Sequence, residues 1–313
     1  MSENIPSEVN LVGVTPPPSG AVIAIGVFDG VHLGHQKLLQ VTKEQAKRAG
    51  STPGVISFWP HPQNFFLPHQ PVQQLTSPAE QSLLMNLYGI SYFSFFNFTS
   101  EFAGLSATKF ARQVLVDQLQ VGGVVVGYNF RYGAENSGEP SLLKIAGREL
   151  GFQVVVVPPV EVEGEVVSST RIRQSLSTGE VATAERLLGR PYSLTGLVVH
   201  GAGRGEGLGF PTVNLALPPN RLVPAPGVYA GSAIIGDKKS VPAAIFIGPR
   251  LTFDDLRPTV EAHLLDWTGD FYGKPLQLHF WQRIREIVRF STAAQLQDQV
   301  IADLQKVREL AGK

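Results

Sequence analysis

Strand and helix patterns alternate through the first half of the chain, and this alternation constrains the fold more than any other feature. Short apolar runs rich in β-branched and aromatic residues predict buried strands, and segments with helical spacing follow them. Repeated strand–helix units predict an α/β domain with a doubly wound parallel sheet. Ligands bind such sheets beyond the carboxyl ends of the strands. The predicted strands are 21–27, 54–59, 90–96, 122–127 and 152–158.

The pattern changes from about Leu194. Strand-like segments separated by Gly, Pro and Asp turns follow, and one helical run at 292–310 closes the chain. This pattern predicts a compact antiparallel β-barrel or sandwich with a C-terminal helix. A glycine and a proline interrupt the preceding helix at 188–193. We therefore predict two domains, 1–188 and 189–313.

Composition narrows the class of protein. The chain has 313 residues, of which 43% are apolar, and its 26 basic and 26 acidic residues leave no formal net charge. That balance argues against a broad electrostatic surface for nucleic acid or anionic membrane. The absence of cysteine excludes disulfides, thiolate metal sites and cysteine nucleophiles. With no secretion signal and no membrane-spanning run in the sequence, we expect a cytoplasmic enzyme that acts on small molecules.

The stretch "GVFDGVHLGH" at 26–35 follows the first predicted strand. Gly26 and Gly30 allow a tight turn and the close approach of a phosphate. His32 and His35 share one face if a helix begins near residue 32, and a helix N-terminus presents free N–H groups to anions. We predict an anion-binding turn here. A turn with surface histidines and a transition-metal site are the alternatives, and Asp29 either orders the turn or repels a misplaced phosphate.

Two further clusters follow later strands. In "GYNFRYG" at 127–133, Asn129 and Arg131 offer donors, and Phe130 and Tyr132 offer rings for stacking on a planar ligand. An ordinary loop with a solvated arginine explains the same residues. In "SSTRIR", the residues 168–170 are helix caps, and with Arg171 or Arg173 they form a second candidate anion site. Capping alone explains the serines equally well.

The second half carries a candidate metal site. Thr212 and Asn214 project to the same side of an extended segment and offer the hard oxygen ligands that Mg²⁺ accepts. Upstream, the glycine-rich run 200–209 either wraps a phosphate with backbone N–H groups or forms a flexible loop. Alternation in "TVEAHLL" puts Glu261 and His263 on one face, where Glu261 is either a general base or an exposed strand residue.

These motifs together carry a family resemblance. "GVFDGVHLGH", "GYNFRYG" and "SSTRIR" resemble the nucleotidylyltransferase module of bacterial bifunctional riboflavin kinase/FAD synthetases, and the first is similar to the wider HxGH-type superfamily. "GFPTVN", "PAPGVYAG" and "VEAHLLDWTGDFYGK" resemble the riboflavin kinase module that follows it in this family. The resemblance covers nearly the whole chain in the expected order.

The resemblance implies two reactions. ATP would lie with its phosphates against the catalytic residues His32 and His35, and FMN would attack the α-phosphorus to give FAD and pyrophosphate. In the second domain Thr212 and Asn214 would hold Mg²⁺-ATP, and Glu261 would activate riboflavin for attack on the γ-phosphate, giving FMN and ADP. The residues expected to contact nucleotide are Gly26, Phe28, Asp29, Gly30, Gly34, Asn129, Ser168, Ser169, Thr170, Arg173, Gly203 and Gly209.

Departures from the family pattern keep other functions open. Ala202, Glu206, Phe246 and Leu251 stand where the family usually has Asp, a basic residue, Asn and Pro. A transferase with an inactive kinase-like domain is the first alternative. A flavin- or nucleotide-binding regulator without turnover is the second, and an RNA-modifying adenylyltransferase lacks the basic surface it needs. We expect ATP, riboflavin and FMN as partners, no nucleic acid and no membrane, with a homo-oligomer as an option.

Overall fold

A computed structural model describes residues 15–201, 207, 209–235, 239–248, 258–267, 269 and 271–312. The chain folds into two compact units, Met1–Val167 and Ser168–Lys313. Helices that precede the predicted boundary at 188/189 thus pack with the second unit. That boundary was placed where a glycine and a proline interrupt the helix pattern around 188–193, and it stays a prediction.

The first unit contains the predicted parallel sheet. Its strand order is β3-β2-β1-β4-β5, and every neighbouring pair is parallel. The strands are β1 (Val22–Ile25), β2 (Pro53–Trp59), β3 (Tyr92–Asn97), β4 (Gly123–Gly127) and β5 (Gln153–Val157). The helices are α1 (Leu33–Ala49), α2 (Pro62–Phe66), α3 (Pro78–Leu87), α4 (Ser100–Ala103), α5 (Ala107–Lys109), which continues as a π-helix over Phe110–Gln118, and α6 (Pro140–Leu150). A hairpin of β6 (Glu161–Val162) and β7 (Glu165–Val166) ends the unit.

Separate apolar cores cover the two faces of this sheet. One contains Leu39 and Ala46 of α1 with Met85 of α3, and the other contains residues of the π-helix such as Val114. The doubly wound α/β prediction is therefore confirmed. The strand order reverses between β1 and β4, so the carboxyl ends of these two strands meet at the switch point where such sheets bind ligands.

The turn that follows β1 is held by a buried carboxylate. Asp29 is only 2% exposed and accepts hydrogen bonds from the backbone N–H of Leu75 (3.0 and 3.1 Å) and of Thr76 (2.9 Å). The Thr76 hydroxyl donates a further bond to Asp29 at 3.1 Å and accepts one from the Gly30 N–H at 2.9 Å. Of the two roles predicted for Asp29, the structure shows the first, since this carboxylate orders the turn.

The second unit is a closed antiparallel barrel, so the barrel rather than the sandwich is confirmed. Its strand order is β10-β11-β12-β9-β8-β13. The elements are α7 (Ser169–Ser177), α8 (Val181–Leu188), β8 (Tyr192–Val199), β9 (Val213–Ala216), β10 (Gly227–Ile235), β11 (Lys239–Gly248), β12 (Thr259–Leu264), β13 (Pro275–Arg285) and α9 (Ala293–Ala311). Helix α8 packs against β8 and β13. No helix in the described part of either unit is long and apolar enough to cross a membrane.

Helix α9 covers part of the outer face of the barrel. Leu304 and Val307 pack with Ala230 of β10. Beside this apolar contact, Asp303 is 4% exposed and accepts paired hydrogen bonds from Arg285 of β13, with N–O distances of 2.8 to 3.0 Å. The Gln299 amide donates a further bond to Asp303 at 3.0 Å. An ion pair and an apolar contact thus both attach this helix to the barrel.

We predict that Asp29→Asn destabilises the first unit by about 1–3 kcal/mol, because its NH₂ group would face buried backbone donors. The measurement is the urea unfolding midpoint, with hydrogen exchange at Leu75 and Thr76 as a local readout. Asp117→Asn is the matched control, since Asp117 is exposed in a weak pair with Arg112. Equal midpoints for both variants would contradict the role given to Asp29.

We predict that Asp303→Asn lowers the free energy of unfolding of the second unit by about 3 kcal/mol, because Arg285 would keep a partly buried charge without its partner. Thermal and urea unfolding followed by the fluorescence of Trp267 and Trp281 would measure the change. Asp298→Asn makes the same chemical change at an exposed position of α9 and should shift the midpoint little. A small effect of Asp303→Asn would mean that apolar packing alone holds α9.

Candidate active sites

The histidines of the first motif lie together at the start of α1. His32 is the N-cap of α1, and its Nδ1 accepts a hydrogen bond from the backbone N–H of His35 at 3.3 Å. The two imidazole rings stack with centroids 3.6 Å apart and planes inclined by 16°. The prediction that they share one face of the first turn is confirmed. The first turn of α1 contains no acidic residue, so its positive end is not neutralised there.

The absence of a side chain at Gly34 leaves room for the His32 ring. A Cβ at Gly34 would lie 3.0 Å from Cε1 and 3.1 Å from Nδ1 of His32, so a larger residue would displace the capping ring.

Gly30 has a φ of 84°, and Val31 a φ of 42°, which is rare for a β-branched residue. Strain of this kind persists where surrounding contacts impose it, and here the contacts of Asp29 do so.

Other residues predicted around this turn differ in exposure. Phe28 is fully buried and its ring lies 5.0 Å from that of His35, while Gly26 donates from its N–H to the carbonyl of Ile56. Phe28 and Asp29 thus support the turn from behind with their side chains. Nucleotide contacts at these positions stay predictions.

The second cluster begins at the carboxyl end of β4, next to β1. Asn129 is exposed there. Arg131 donates to Glu139 at 3.0 Å, and hydrogen bonds from Ser141 and then Arg131 lower the pKa of the Glu139 carboxyl below its ordinary value. The Arg131 guanidinium therefore has an acidic partner on the surface. Asn129 is the residue of this cluster that the topology brings to the switch point with the histidine turn.

Tyr132 belongs to the core rather than to a binding surface. Its ring stacks on that of Phe130 at 5.6 Å and contacts Phe110 at 5.2 Å, and only 6% of the residue is exposed. Its hydroxyl has no hydrogen-bond partner among the described residues, and burial raises the pKa of this group to about 12. The prediction that Tyr132 stacks on a ligand is wrong for this arrangement, because its faces already pack against protein.

The long loop that follows β2 contains α2, and its aromatic rings meet Phe98, which follows β3, at the carboxyl ends of these two strands. Phe65, Phe66 and Phe98 lie within 5.3 to 5.7 Å of one another. Phe66 is 62% exposed, so this loop presents an aromatic ring to solvent. Its aromatic surface lies at the ligand-binding edge of the sheet.

The third cluster forms the start of α7, in the second compact unit. Ser168 is the N-cap, and its hydroxyl accepts from the backbone N–H of Arg171 at 3.2 Å. The capping prediction is confirmed for Ser168, whereas Ser169 and Thr170 are the first helical residues. Arg171 and Arg173 are both partly buried. An anion-binding role for this segment stays a prediction.

Thr212, Asn214 and Glu261 converge on the outer face of the barrel. Glu261 and Asn214 are directly paired across β12 and β9, and side chains paired in this way share a face of the sheet. The Thr212 hydroxyl lies 3.4 Å from Oε2 of Glu261. All three are partly buried, while Val260 and Ala262 fill the interior, which confirms the predicted alternation.

The donor set suits a hard divalent cation that keeps other ligands. Thr212 offers a hydroxyl and Asn214 an amide oxygen, and Mg²⁺ completes such a set with water and substrate phosphates. In the described ranges, no three His, Asp or Glu side chains cluster as a closed metal site would require. Gly209 has a φ of 86°, which favours glycine, whereas Gly203, Ala202, Glu206 and Leu251 lie outside the described residues.

Two contacts near these sites were not predicted. Leu75 and Thr76 hold Asp29 from 46 and 47 residues away, and no local pattern in the sequence indicates that pairing. His263 has its Nδ1 2.8 Å from the carbonyl oxygen of Pro211. The alternation that placed His263 on the face of Glu261 was a signal that could have pointed to this second contact.

Two family models match the chain in sequence. One, described as FAD synthetase, matches residues 15–171, and the other, described as riboflavin kinase, matches residues 188–311. The first match contains the histidine turn, the Asn129 loop and the residues up to Arg171. The second contains the barrel and α9.

Similar proteins align over almost the whole chain. A bifunctional riboflavin kinase/FMN adenylyltransferase of Pseudomonas fluorescens is 38% identical and covers 96% of both chains. The protein of the same description from Escherichia coli K12 is 36% identical and covers 95% of this chain and 94% of that one. The protein of Listeria monocytogenes is 34% identical, with 93% of both covered.

A solved structure shares the fold. It is a crystal structure described as a macrolide-efflux protein from Streptococcus pneumoniae, with a TM-score of 0.85 and 32% identity, and it covers 93% of this chain and 94% of that one. The activity in that description is said of that protein alone. From both family matches and the relatives, the chain belongs to the family of bifunctional riboflavin kinase/FMN adenylyltransferases.

Proposed function

We infer that this chain phosphorylates riboflavin to FMN and transfers an adenylyl group from ATP to FMN, giving FAD and pyrophosphate. The observation that carries the adenylyl transfer is the stacked His32–His35 pair at the N-terminus of α1, beside the switch point of the sheet. The observation that carries the phosphorylation is the convergence of Thr212, Asn214 and Glu261. We assign the first activity to residues 1–188 and the second to 189–313.

In adenylyl transfer, a phosphate oxygen of FMN attacks the α-phosphorus of ATP, and pyrophosphate leaves with the electron pair of the broken P–O bond. Catalysis of this kind needs positioning and charge stabilisation rather than a covalent nucleophile. Because Nδ1 of His32 accepts from the His35 N–H, the neutral ring carries its proton on Nε2. We propose that His32 uses its Nε2 N–H toward a phosphate oxygen in the transition state.

Further nucleotide contacts are proposed around this pair. The backbone at Gly26, Gly30 and Gly34 gives phosphate room, and the exposed Asn129 amide lies at the carboxyl end of the adjacent strand. For Ser168, Ser169, Thr170 and Arg173, which belong to the second compact unit, nucleotide binding through hydroxyl and guanidinium donors is proposed from the family resemblance of their motif alone. The exposed aromatic surface around Phe66 is suited to the flavin ring, because an isoalloxazine is planar and apolar on its faces.

In phosphorylation, Glu261 accepts the proton of the terminal ribityl hydroxyl as its oxygen attacks the γ-phosphorus of ATP, and ADP leaves. Thr212 and Asn214 would hold Mg²⁺, which when bound neutralises the charge on the phosphates. The Thr212 hydroxyl also contacts Glu261 and limits the directions this carboxylate can take. Backbone N–H groups near Gly203 and Gly209 would contact the nucleotide.

An adenylyltransferase with an inactive kinase-like domain is the second candidate, favoured by one observation. Phe246, which replaces the usual Asn, is paired with Glu261 across β11 and β12 and is 37% exposed on the same face. Nevertheless, Glu261 keeps its contact with Thr212, which supports an active kinase. A regulator without turnover would have no need for the stacked histidines or for Glu261.

We place the enzyme in the cytoplasm, where ATP and flavins are available. Its neutral net charge supports small-molecule partners and neither nucleic acid nor membrane. A homo-oligomer is compatible with these activities.

We predict that His35→Ala lowers FAD formation from FMN at least about 100-fold, because it removes a donor that stabilises charge in the transition state. Phosphorylation of riboflavin should stay within about twofold of the wild type. HPLC that resolves riboflavin, FMN and FAD measures both products. Gln40→Ala, at an exposed position of the same helix, should change neither, and equal loss of both activities in His35→Ala would contradict the assignment.

We predict the reverse selectivity for Glu261→Gln. This isosteric change keeps an acceptor for the Thr212 hydroxyl but removes the base, so FMN formation should fall about 10²–10⁴-fold. FAD formation from supplied FMN should persist. Glu286→Gln, at an exposed position in the same unit, is the control. Unimpaired phosphorylation in Glu261→Gln would eliminate Glu261 as the base, and a wild type that makes no FMN would favour the inactive kinase-like domain.

A further inference from the structure

His263 makes a directed contact beside the proposed kinase site. It lies two residues after Glu261 on β12, on the same outer face of the barrel. Its Nδ1 is 2.8 Å from the carbonyl oxygen of Pro211. A carbonyl oxygen can only accept a hydrogen bond, so the proton of this contact is on Nδ1. The hydrogen bond to Pro211 thus fixes the ring orientation and the tautomer of His263, and it attaches the ring to the segment that leads into Thr212.

This contact holds the chain where the strand ladder does not. The pairing of β12 with β9 joins Glu261 to Asn214 and Ala262 to Val213. The next pair in this register would be His263 with Thr212, but Thr212 precedes the start of β9. Pro211 has no N–H and cannot extend the ladder as a donor, and the side chain of His263 instead holds this segment through the Pro211 carbonyl oxygen.

Phe210 fixes the other side of the same segment. Its ring packs against the cluster formed by α9 and the barrel, which includes Leu265 and Val307. The ring of His263 meets the Phe210 ring edge-on, with centroids 6.0 Å apart and an interplanar angle of 86°. Residues 210 and 211 are therefore held between His263 and the α9 cluster, and the position of Thr212 follows from theirs.

We propose that His263 is a positioning residue for the kinase reaction, which holds Thr212 in place for Mg²⁺-nucleotide and for Glu261. The proposal rests on the function proposed above for Thr212 and Glu261. His263 acts through the carbonyl of Pro211 and not on the reacting atoms. A side chain that orients a metal ligand in this way typically changes metal affinity about 10–100-fold when it is lost.

Two substitutions separate the donor from the bulk of the ring. In His263→Asn, the side-chain amide places an N–H near the position of Nδ1, whereas His263→Leu keeps similar volume without a donor. Calorimetric titration of the full-length protein with Mg²⁺ and ADP should show affinity weakened about 10-fold or more in His263→Leu. His263→Asn should lie within about threefold of the wild type.

Hydrogen exchange of residues 210–214 gives a second readout without nucleotide. Exchange there should be faster in His263→Leu and close to wild type in His263→Asn. Gln282→Leu controls for a leucine at an exposed site on the barrel surface. If His263→Leu does not fold, His263→Gln replaces it, since its longer side chain moves the donor away from the Nδ1 position.

The outcomes are distinct. Unchanged Mg²⁺-ADP affinity and exchange in His263→Leu would overturn the proposal, and so would equal losses in His263→Leu and His263→Asn. If wild-type protein binds Mg²⁺-ADP but forms no FMN, the proposed kinase function fails while the positioning role of His263 remains measurable by titration and exchange.

Discussion

The hydrogen bonds of the Asp29 carboxylate are the interaction on which the first site depends. They join the turn after β1 to the backbone of Leu75 and Thr76, close to the start of α3. A buried carboxylate that accepts several N–H bonds is well compensated for its loss of water. The strained backbone at Val31 is thereby maintained, and His32 is delivered to the N-cap of α1. The histidine pair is thus positioned from outside its own helix.

The second site is also positioned by contacts outside its reacting residues, here by the pairing of two strands. The direct pairing of Asn214 with Glu261 comes from strand register, which a one-residue slip of β9 would destroy because it turns Asn214 to the opposite face. Thr212 lies just beyond the ladder, and His263 reaches the carbonyl that precedes it. In both units, therefore, a side chain remote from the reaction fixes the backbone next to a residue proposed to act in it.

Much of this architecture could be predicted because it depends on local patterns. Apolar runs indicated the strands of the sheet, and alternation around Glu261 indicated which face it takes. Contacts between distant residues left no such pattern, as the pairing of Asp29 with Thr76 shows. The π-helix over Phe110–Gln118 has ordinary helical spacing, so only the structure reveals it. Tyr132 was misjudged because its position in a loop gave no sign that its ring joins the core.

The glycines of the two motifs show why a motif alone does not establish that a glycine contacts phosphate. They were first explained by room for phosphate, yet Gly34 also leaves room for the His32 ring. A Cβ at Gly201 would clash in the same way with the amide of Asn214. A glycine next to a functional side chain therefore has two reasons to be there, since ligand and side chain both approach its backbone. Replacing either glycine by alanine would displace a protein group before any nucleotide arrived, so a loss of activity would not by itself prove a phosphate contact.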